Sequence, residues 1–129
     1  MMVDAIGIAG SGMTLHRKWL DAIADNLANA NTVTATTDAA FQERYILAQE
    51  GPGNVGASAT AAFGGAEGTL VYEPEHPLAD ADGYVRYPDI DMAEQMANLI
   101  MAQRGYQANA AVVDRAKTAY EAALQIGRG

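Results

Sequence analysis

The chain has 129 residues and a formal net charge of −8; half of its residues are apolar, and it contains no cysteine. The apolar half excludes a compositionally disordered chain. The acidic balance argues against binding to nucleic acid or to an anionic membrane surface, and the lack of cysteine excludes disulfides, thiolate metal sites and cysteine nucleophiles. Much of the apolar content is alanine, which buries little area, so a thick independent core is not expected.

The N-terminal stretch MMVDAIGIAGSGM does not have the form of a secretory signal, because no basic residue precedes its apolar run and glycines interrupt that run. No segment of the sequence reaches the roughly 18 apolar residues that a membrane span needs. These rules alone predict a soluble protein that does not use the general secretory route.

Apolar periodicity predicts a first helix over about 4–29. One apolar row recurs at every seventh residue, and a second row, three residues further on, is interrupted by a single histidine. This heptad-like stripe predicts a seam against another helix. Gly10 and Gly12 each cost about 1 kcal/mol relative to alanine in a helix interior, so the first turns are expected to fray when the helix is alone. The two rows are Ile6, Met13, Leu20 and Leu27, and Ala9, His16, Ile23 and Ala30.

The stretch DNLANANT places three asparagines, Asn26, Asn29 and Asn31, at the end of this helix. Asparagine is a poor helix-interior residue because its side-chain amide competes for backbone groups. Asn26 and Asn29 share one face, where buried amides beside an apolar seam fix register and partner choice. Asn31 lies where the helix should end, and asparagine tolerates the conformation of a C-terminal cap. Asn109 gives the last helix an amide of the same type, and the sequence leaves open whether these amides bond to one another.

Residues 32–88 differ in kind from the flanking segments and predict an irregular or β-rich insertion. Three patches within it are strand-like: Phe41–Leu47, Thr69–Tyr72 and Gly83–Tyr87. A Gly/Ala-rich stretch at 51–68 lies between the first two and predicts a flexible loop.

A second and longer helix is predicted over about 89–127. Asp89 or Asp91 can serve as its N-cap, Glu94 stands at a capping-box spacing from Asp91, and Gly127 is expected to stop it. Such a helix is about 60 Å long, and a chain of this size cannot bury it alone, so it must lie against another long helix. Its apolar row again recurs every seventh residue, at Met92, Leu99, Tyr106, Val113 and Tyr120, with a flanking row at Met96, Gln103, Ala110, Lys117 and Leu124.

The predicted fold is therefore mainly α. Long N- and C-terminal helices (1–31 and 89–129) are expected to pair as a coiled coil, with a small β-rich or irregular insertion (32–88) between them. At heptad spacing, Tyr106 and Tyr120 favour a helix–helix seam over a ligand box.

No motif predicts catalysis or a bound cofactor. The stretch GIAGSGM lacks one glycine of the dinucleotide fingerprint, and no strand precedes it. DADG at 80–83 resembles the middle of a calcium loop, but Leu78 would fall at the first ligand position, so an acidic turn before a strand is favoured. The two histidines, His16 and His76, lie far apart in a chain without cysteine and give no metal-site spacing. We therefore expect no metal site and no enzymatic activity, with His16 packed on the apolar stripe.

The asparagine stretch carries a resemblance to a known family. LDAIADNLANANT is similar to the N-terminal signature of bacterial flagellar rod and hook proteins, an Asn-x-Ala-Asn-x-Asn-Thr core that Asn26, Ala28, Asn29, Asn31 and Thr32 match. Many members continue with Thr-Pro-Gly-Tyr, whereas this chain continues with TVTATTDAAF, which narrows the resemblance to the proximal-rod branch. VYEPEHPLADADGYVRYPDID and MAEQMANLIMAQRGYQANAAVVDRAKTAYEAALQIG also resemble that branch.

The resemblance implies a structural subunit of the proximal rod of the flagellar basal body, a periplasm-crossing drive shaft that transmits torque for motility. Members are not enzymes, bind no nucleic acid or small-molecule substrate, and assemble through their terminal helices. The implied partners are other proximal and distal rod proteins, the rotor-ring adaptor protein, further copies of the chain, and the flagellar type III export apparatus. That apparatus exports its substrates without a cleaved signal, so the secretory-signal rule would give the wrong destination here.

These considerations predict an assembly interface on the two terminal helices. The alternative from another class is a soluble helical-hairpin adaptor or export chaperone-like protein, which would stay folded and monomeric at high concentration. The predicted interface residues are Ile6, Met13, Leu20, Ile23, Asn26, Leu27, Asn29, Asn31, Met92, Met96, Leu99, Tyr106, Asn109, Val113 and Tyr120.

Overall fold

The computed structural model describes residues 2–128, which form two long helices and four short strands. The strands make two antiparallel two-stranded sheets, β1 with β2 and β3 with β4. None of the helices in this range is long and apolar enough to cross a membrane. The elements in chain order are α1 (Met2–Asn29), β1 (Arg44–Glu50), a 3₁₀ turn (Pro52–Asn54), β2 (Ala57–Phe63), β3 (Thr69–Tyr72), β4 (Tyr84–Tyr87) and α2 (Met92–Arg128).

The expectation of a mainly α fold is wrong, because the chain is a mixture of helix and sheet. The two terminal helices are present, with 28 and 37 residues, and the predicted strands at Thr69–Tyr72 and Gly83–Tyr87 are confirmed as β3 and β4. The insertion between the helices is more regular than predicted. β2 lies inside the stretch 51–68, where composition indicated only a loop, since the weak strand preference of alanine and glycine is overridden by pairing with β1.

The chain divides into two compact units. Unit 1 consists of the described residues of Met1–Leu20, Ile46–Thr60 and Ile100–Gly129, and unit 2 of Asp21–Tyr45 and Ala61–Leu99. The buried apolar residues described in unit 1 are two alanines, Ala9 and Ala102. Unit 2 has a larger core, which combines apolar side chains with two buried amides: Ala22, Ile23, Ala30, Ala40 and Val85, with Asn26 and Gln95.

One of the two aspartates predicted as N-cap of α2 caps the helix. The Asp91 carboxylate accepts hydrogen bonds from the backbone N–H groups of Ala93 (2.9 Å) and Glu94 (3.3 Å), so Asp91 is the N-cap. The predicted stop at Gly127 is wrong, because the helix continues through Arg128. Glycine is unfavourable inside a helix but does not end one by itself.

In unit 1 a glycine turn leads from β1 into β2 and is tied to α1. The Gly51 N–H donates to the Gly56 carbonyl (3.0 Å), and Gly53 and Gly56 adopt positive φ (74° and 75°), which glycine tolerates best. Ser11 of α1 accepts a hydrogen bond from the N–H of Ala57 (2.9 Å) and donates to the Ile8 carbonyl (2.6 Å). Ser11 thereby has a structural role in holding the start of β2.

In unit 2 the DADG stretch forms the acidic turn that leads into β4. One oxygen of Asp80 accepts from the N–H groups of Asp82 (3.0 Å) and Tyr84 (2.9 Å), and the other accepts from the Thr36 hydroxyl (3.1 Å). These hydrogen bonds, that from the Tyr84 N–H above all, hold the pKa of Asp80 below its usual value. Gly83 completes the turn at φ 87°. The predicted acidic turn before the strand is thus confirmed.

Candidate assembly surface

Asn26 is the most constrained of the predicted interface residues. Its side chain is 1% exposed, and its amide pairs with both backbone groups of Arg44, at the start of β1. Nδ2 donates to the Arg44 carbonyl (2.9 Å), and Oδ1 accepts from the Arg44 N–H (2.8 Å). Nδ2 also donates to Oε1 of Gln95 on α2 (3.1 Å). Asn26 therefore acts as the strand partner that Arg44 would otherwise lack.

Gln95 completes this network and was not singled out from the sequence. It is 1% exposed, and its Nε2 donates to the Glu43 carboxylate at 2.6 Å. Asn26 and Gln95 thus join α1, α2 and the entry to β1 within unit 2. The Arg44 guanidinium adds a partly exposed ion pair with Asp25, one residue before Asn26. The other two asparagines of the stretch are not part of this network.

Asn29 and Asn31 belong to the end of α1. Asn29 donates from Nδ2 to the Asp25 carbonyl (2.9 Å) and accepts from the Thr32 hydroxyl (3.2 Å). The backbone N–H of Thr32 donates to the Asn29 carbonyl (3.1 Å). Asn31 is exposed just after the last helical residue. These contacts close the helix, so the helix end predicted at this stretch is confirmed.

Asn109 lies in unit 1 and faces α1. Its Nδ2 donates to the Gly105 carbonyl (2.9 Å) and lies 3.5 Å from Nδ1 of His16, which in turn donates to the Gly12 carbonyl (2.7 Å). His16 is half-buried, and its ring centroid is 6.1 Å from that of Trp19. The predicted packed histidine is confirmed.

The predicted apolar rows are buried to very different extents. Ile23 is 1% exposed, whereas Met92, Met96 and Tyr120 on α2 are 43%, 50% and 44% exposed. The single chain thus leaves large apolar side chains of the predicted seam uncovered. The remaining row members are half-buried: Ile6, Met13, Leu20, Leu27, Leu99, Tyr106 and Val113.

The part of α2 in unit 1 exposes a further set of apolar side chains, which we call the uncovered α2 surface. At about 100° per residue these positions fall around most of the helix circumference. Large apolar side chains exposed in this number on one helix are typical of a surface that another protein covers. Among these residues, the heptad spacing predicts Tyr120 as an interface residue and Leu124 as a member of the flanking row. The members are Ile100, Met101, Val112, Tyr120, Leu124 and Ile126.

Unit 2 also contains an acidic cavity of about 170 Å³, lined by Glu43, Tyr45, Glu67, Asp89 and three glycines. The Tyr45 hydroxyl donates to Glu43 (2.7 Å), and this hydrogen bond, above all, raises the pKa of Tyr45 to about 12. Within residues 2–128 no group of three or more histidine, aspartate and glutamate side chains is placed to hold a metal ion. The geometry of the described residues consists of apolar packing surfaces and of hydrogen bonds that connect the helices and strands.

Two family models match the chain, one at each end. The model for the flagella basal body rod protein matches residues 6–36, which cover α1 and the asparagine stretch. The model for the flagellar basal body rod FlgEFG protein C-terminal matches residues 81–126, from the acidic turn through most of α2. The matched segments contain α1 and most of α2, and they place the chain in the class of flagellar rod proteins.

Similar individual proteins identify the family within this class. The flagellar basal-body rod protein FlgC of Escherichia coli O6:H1 is 36% identical over 98% of each chain, and that of Salmonella typhimurium is 35% identical over 98% of each. FlgC of Borreliella burgdorferi is 28% identical over 99% of each chain. The chain belongs to the FlgC family of flagellar basal-body rod proteins, and it is a structural subunit of the rod, located in the flagellar basal body.

Proposed function

We propose that this rod subunit assembles through the apolar surfaces of α1 and α2, which pack against the corresponding helices of neighbouring subunits. The proposal is supported by one observation above all. The uncovered α2 surface carries large apolar side chains that are 44–82% exposed in the single chain. Exposed apolar surface of this kind is typical of a protein–protein interface. Burying one such side chain stabilises an assembly by roughly 1.5–3 kcal/mol.

The neighbours that we propose are other proximal and distal rod proteins, the rotor-ring adaptor protein and further copies of the chain. Residues 32–88 would form an outer contact with adjacent subunits. The subunit would reach the rod through the flagellar type III export apparatus without a cleaved signal, cross the periplasm as part of the proximal rod, and transmit torque. It would act mechanically and not as an enzyme, because the membership in a structural family gives it a role that needs no catalytic site.

The test should separate assembly from folding. Leu99→Asp or Val113→Asp should abolish rod incorporation, but both residues are half-buried in the single chain, so these variants also perturb its packing. Leu124 is 51% exposed and gives a cleaner variant, Leu124→Asp, which places a carboxylate on the uncovered α2 surface. A carboxylate that becomes buried without a partner costs several kcal/mol.

We expect Leu124→Asp to be absent from purified hook–basal bodies while the chain is still exported, as measured by mass spectrometry of the particles and immunoblotting of the exported fraction. The neighbouring substitution Gln125→Asp is the matched control, since it adds the same charge at an exposed polar position of the same turn. It should impair incorporation less. Equal incorporation of Leu124→Asp and the wild type, with normal swimming, would rule out the uncovered α2 surface as an assembly interface.

A further inference from the structure

Two glycines in unit 1 each receive a polar side chain from the opposite helix. Gly12 of α1 lies under the amide of Asn109, and Gly105 of α2 lies under the imidazole of His16. A Cβ at Gly12 would come within 2.7 Å of Oδ1 of Asn109, and a Cβ at Gly105 would meet Nε2 of His16 well inside van der Waals contact. Real Cβ atoms do not approach other atoms this closely, so each glycine provides a hole that its opposing side chain fills.

Each of these side chains is also held by the glycine of its own helix. His16 Nδ1 donates to the Gly12 carbonyl (2.7 Å), and Asn109 Nδ2 donates to the Gly105 carbonyl (2.9 Å), both across four residues. Because a carbonyl only accepts, Nδ1 of His16 carries a hydrogen, so its approach to Asn109 Nδ2 at 3.5 Å is a packing contact. The four residues close a ring in which both side chains are oriented by hydrogen bonds and seated by the absence of a Cβ.

We propose that Gly12, His16, Gly105 and Asn109 form a reciprocal lock that sets the register of α1 against α2 in unit 1. A polar residue in a helix seam can specify register at a cost in stability. Here the specificity comes from the holes. Gly105 is the only glycine of α2 before Gly127, and a slip of one turn would place Met101 or Asn109 opposite His16 instead.

The lock contains no residue of the uncovered α2 surface and holds whichever neighbours the subunit has. It assigns a positioning role to three residues outside the predicted interface: Gly12, His16 and Gly105. It also gives a reason for glycine at two positions inside helices, where glycine is otherwise unfavourable. In an unlocked helix, replacing glycine by alanine is expected to stabilise the fold, since alanine has the higher helix propensity. In the lock the same replacement should destabilise it.

The experiment compares glycine-to-alanine variants of the purified full-length chain by thermal unfolding. Gly105→Ala and Gly12→Ala should each lower the midpoint temperature by roughly 3 °C or more. Gly10→Ala is the matched control, because a Cβ at Gly10 of the same helix meets no atom within 4 Å, and it should leave the midpoint unchanged or raise it. In the Gly105→Ala background, His16→Ala should raise the midpoint again in part, because it removes the side chain with which the new Cβ clashes.

Register is measured directly by disulfide trapping, which is clean because the chain has no cysteine of its own. Ala5 and Ala116 lie one heptad from Gly12 and Asn109 in the antiparallel sense, and both are half-buried. The pair Ala5→Cys/Ala116→Cys should form an intramolecular disulfide on mild oxidation, more than the displaced pair Ala5→Cys/Val112→Cys. Gly105→Ala should weaken this preference, whereas the control Gly10→Ala should leave it unchanged.

The proposal is overturned if Gly105→Ala is as benign as Gly10→Ala in midpoint and in disulfide preference, or if His16→Ala fails to raise the midpoint of the Gly105→Ala variant. Should Gly105→Ala not fold at all, recovery of folded protein in the double variant supports the lock, and failure to recover overturns it. These measurements use the isolated chain. If the lock behaves as described but the chain does not enter the rod, only the proposed assembly surface is contradicted.

Discussion

At the scale of single residues, the side-chain amide of Asn26 makes the two backbone hydrogen bonds that a neighbouring strand would otherwise make. Its amide satisfies both the N–H and the carbonyl of Arg44 at 2.8 and 2.9 Å, in a position where it is 1% exposed. A buried backbone group without a partner is costly, so the start of β1 depends on this residue. The sequence indicated a buried, register-fixing amide, but its partners Arg44 and Gln95 are 18 and 69 residues away and leave no local pattern.

Removing this amide should therefore destabilise the fold more than removing a neighbouring one. Asn26→Ala leaves the Arg44 N–H unpaired and should lower the free energy of unfolding by about 1–3 kcal/mol, as measured by urea denaturation. Asn31→Ala is the control, because Asn31 is exposed, and its effect should stay within about 0.5 kcal/mol. Equal effects of the two substitutions would contradict the role assigned to Asn26.

Tyr45, which lines the acidic cavity, makes the stability of the fold depend on pH in the alkaline range. In the folded protein its pKa is about 12, above the usual value of 10.0, because the hydroxyl donates to Glu43. The stabilisation from the neutral hydroxyl is therefore fully present below about pH 10 and is lost as the pH rises through about 12. Tyr45 is 43% exposed, so solvent screening keeps the contribution below about 1 kcal/mol.

Tyr45→Phe removes the titrating hydroxyl and should flatten the fall in unfolding free energy between about pH 10 and pH 12. The measurement is a series of urea titrations across that range, with wild type and variant in the same buffers. An identical slope in both proteins would show that the contact with Glu43 makes no contribution to folding.

At the scale of elements, the start of α2 depends on one carboxylate out of two. The sequence left Asp89 and Asp91 open as caps, and the structure assigns the role to Asp91 through its bonds to the N–H groups of Ala93 and Glu94. Asp91→Ala should cost about 0.5–2 kcal/mol of stability, whereas Asp89→Ala should cost less. Circular dichroism during thermal unfolding compares the two, and a larger loss for Asp89→Ala would contradict the assignment.

The same scale shows which elements sequence patterns can locate. The helices and the strands β3 and β4 carry local signals of apolar periodicity, turn residues and caps, and each lies within a few residues of its predicted bounds. β2 has no such signal, because ASATAAF is poor in β-branched and aromatic residues. It forms where the turn at Gly51–Gly56 returns the chain alongside β1. The lock in unit 1 was missed for a related reason, since a glycine hole is defined by the opposite helix.

At the scale of the whole molecule, the single subunit leaves apolar surface exposed that the proposed neighbouring subunits would cover. Among its described residues the buried apolar set is small and mostly alanine, while α2 leaves Met92, Met96 and the uncovered α2 surface open to solvent. A thick independent core was not expected from the alanine-rich composition. What composition could not give is the balance of helix and sheet, which depends on tertiary pairing in residues 32–88 and made the mainly α prediction wrong.

The most direct test of the assembly account is methionine oxidation of the chain alone and in purified hook–basal bodies, read by peptide mass spectrometry. Met96 and Met101 are 50% and 53% exposed in the single chain and should oxidise readily there. If α2 is buried by neighbouring helices, both should be strongly protected in the assembled particle while Leu124→Asp subunits outside the rod remain unprotected. Equal oxidation of Met96 and Met101 in the free chain and in the rod would contradict burial of α2 on assembly.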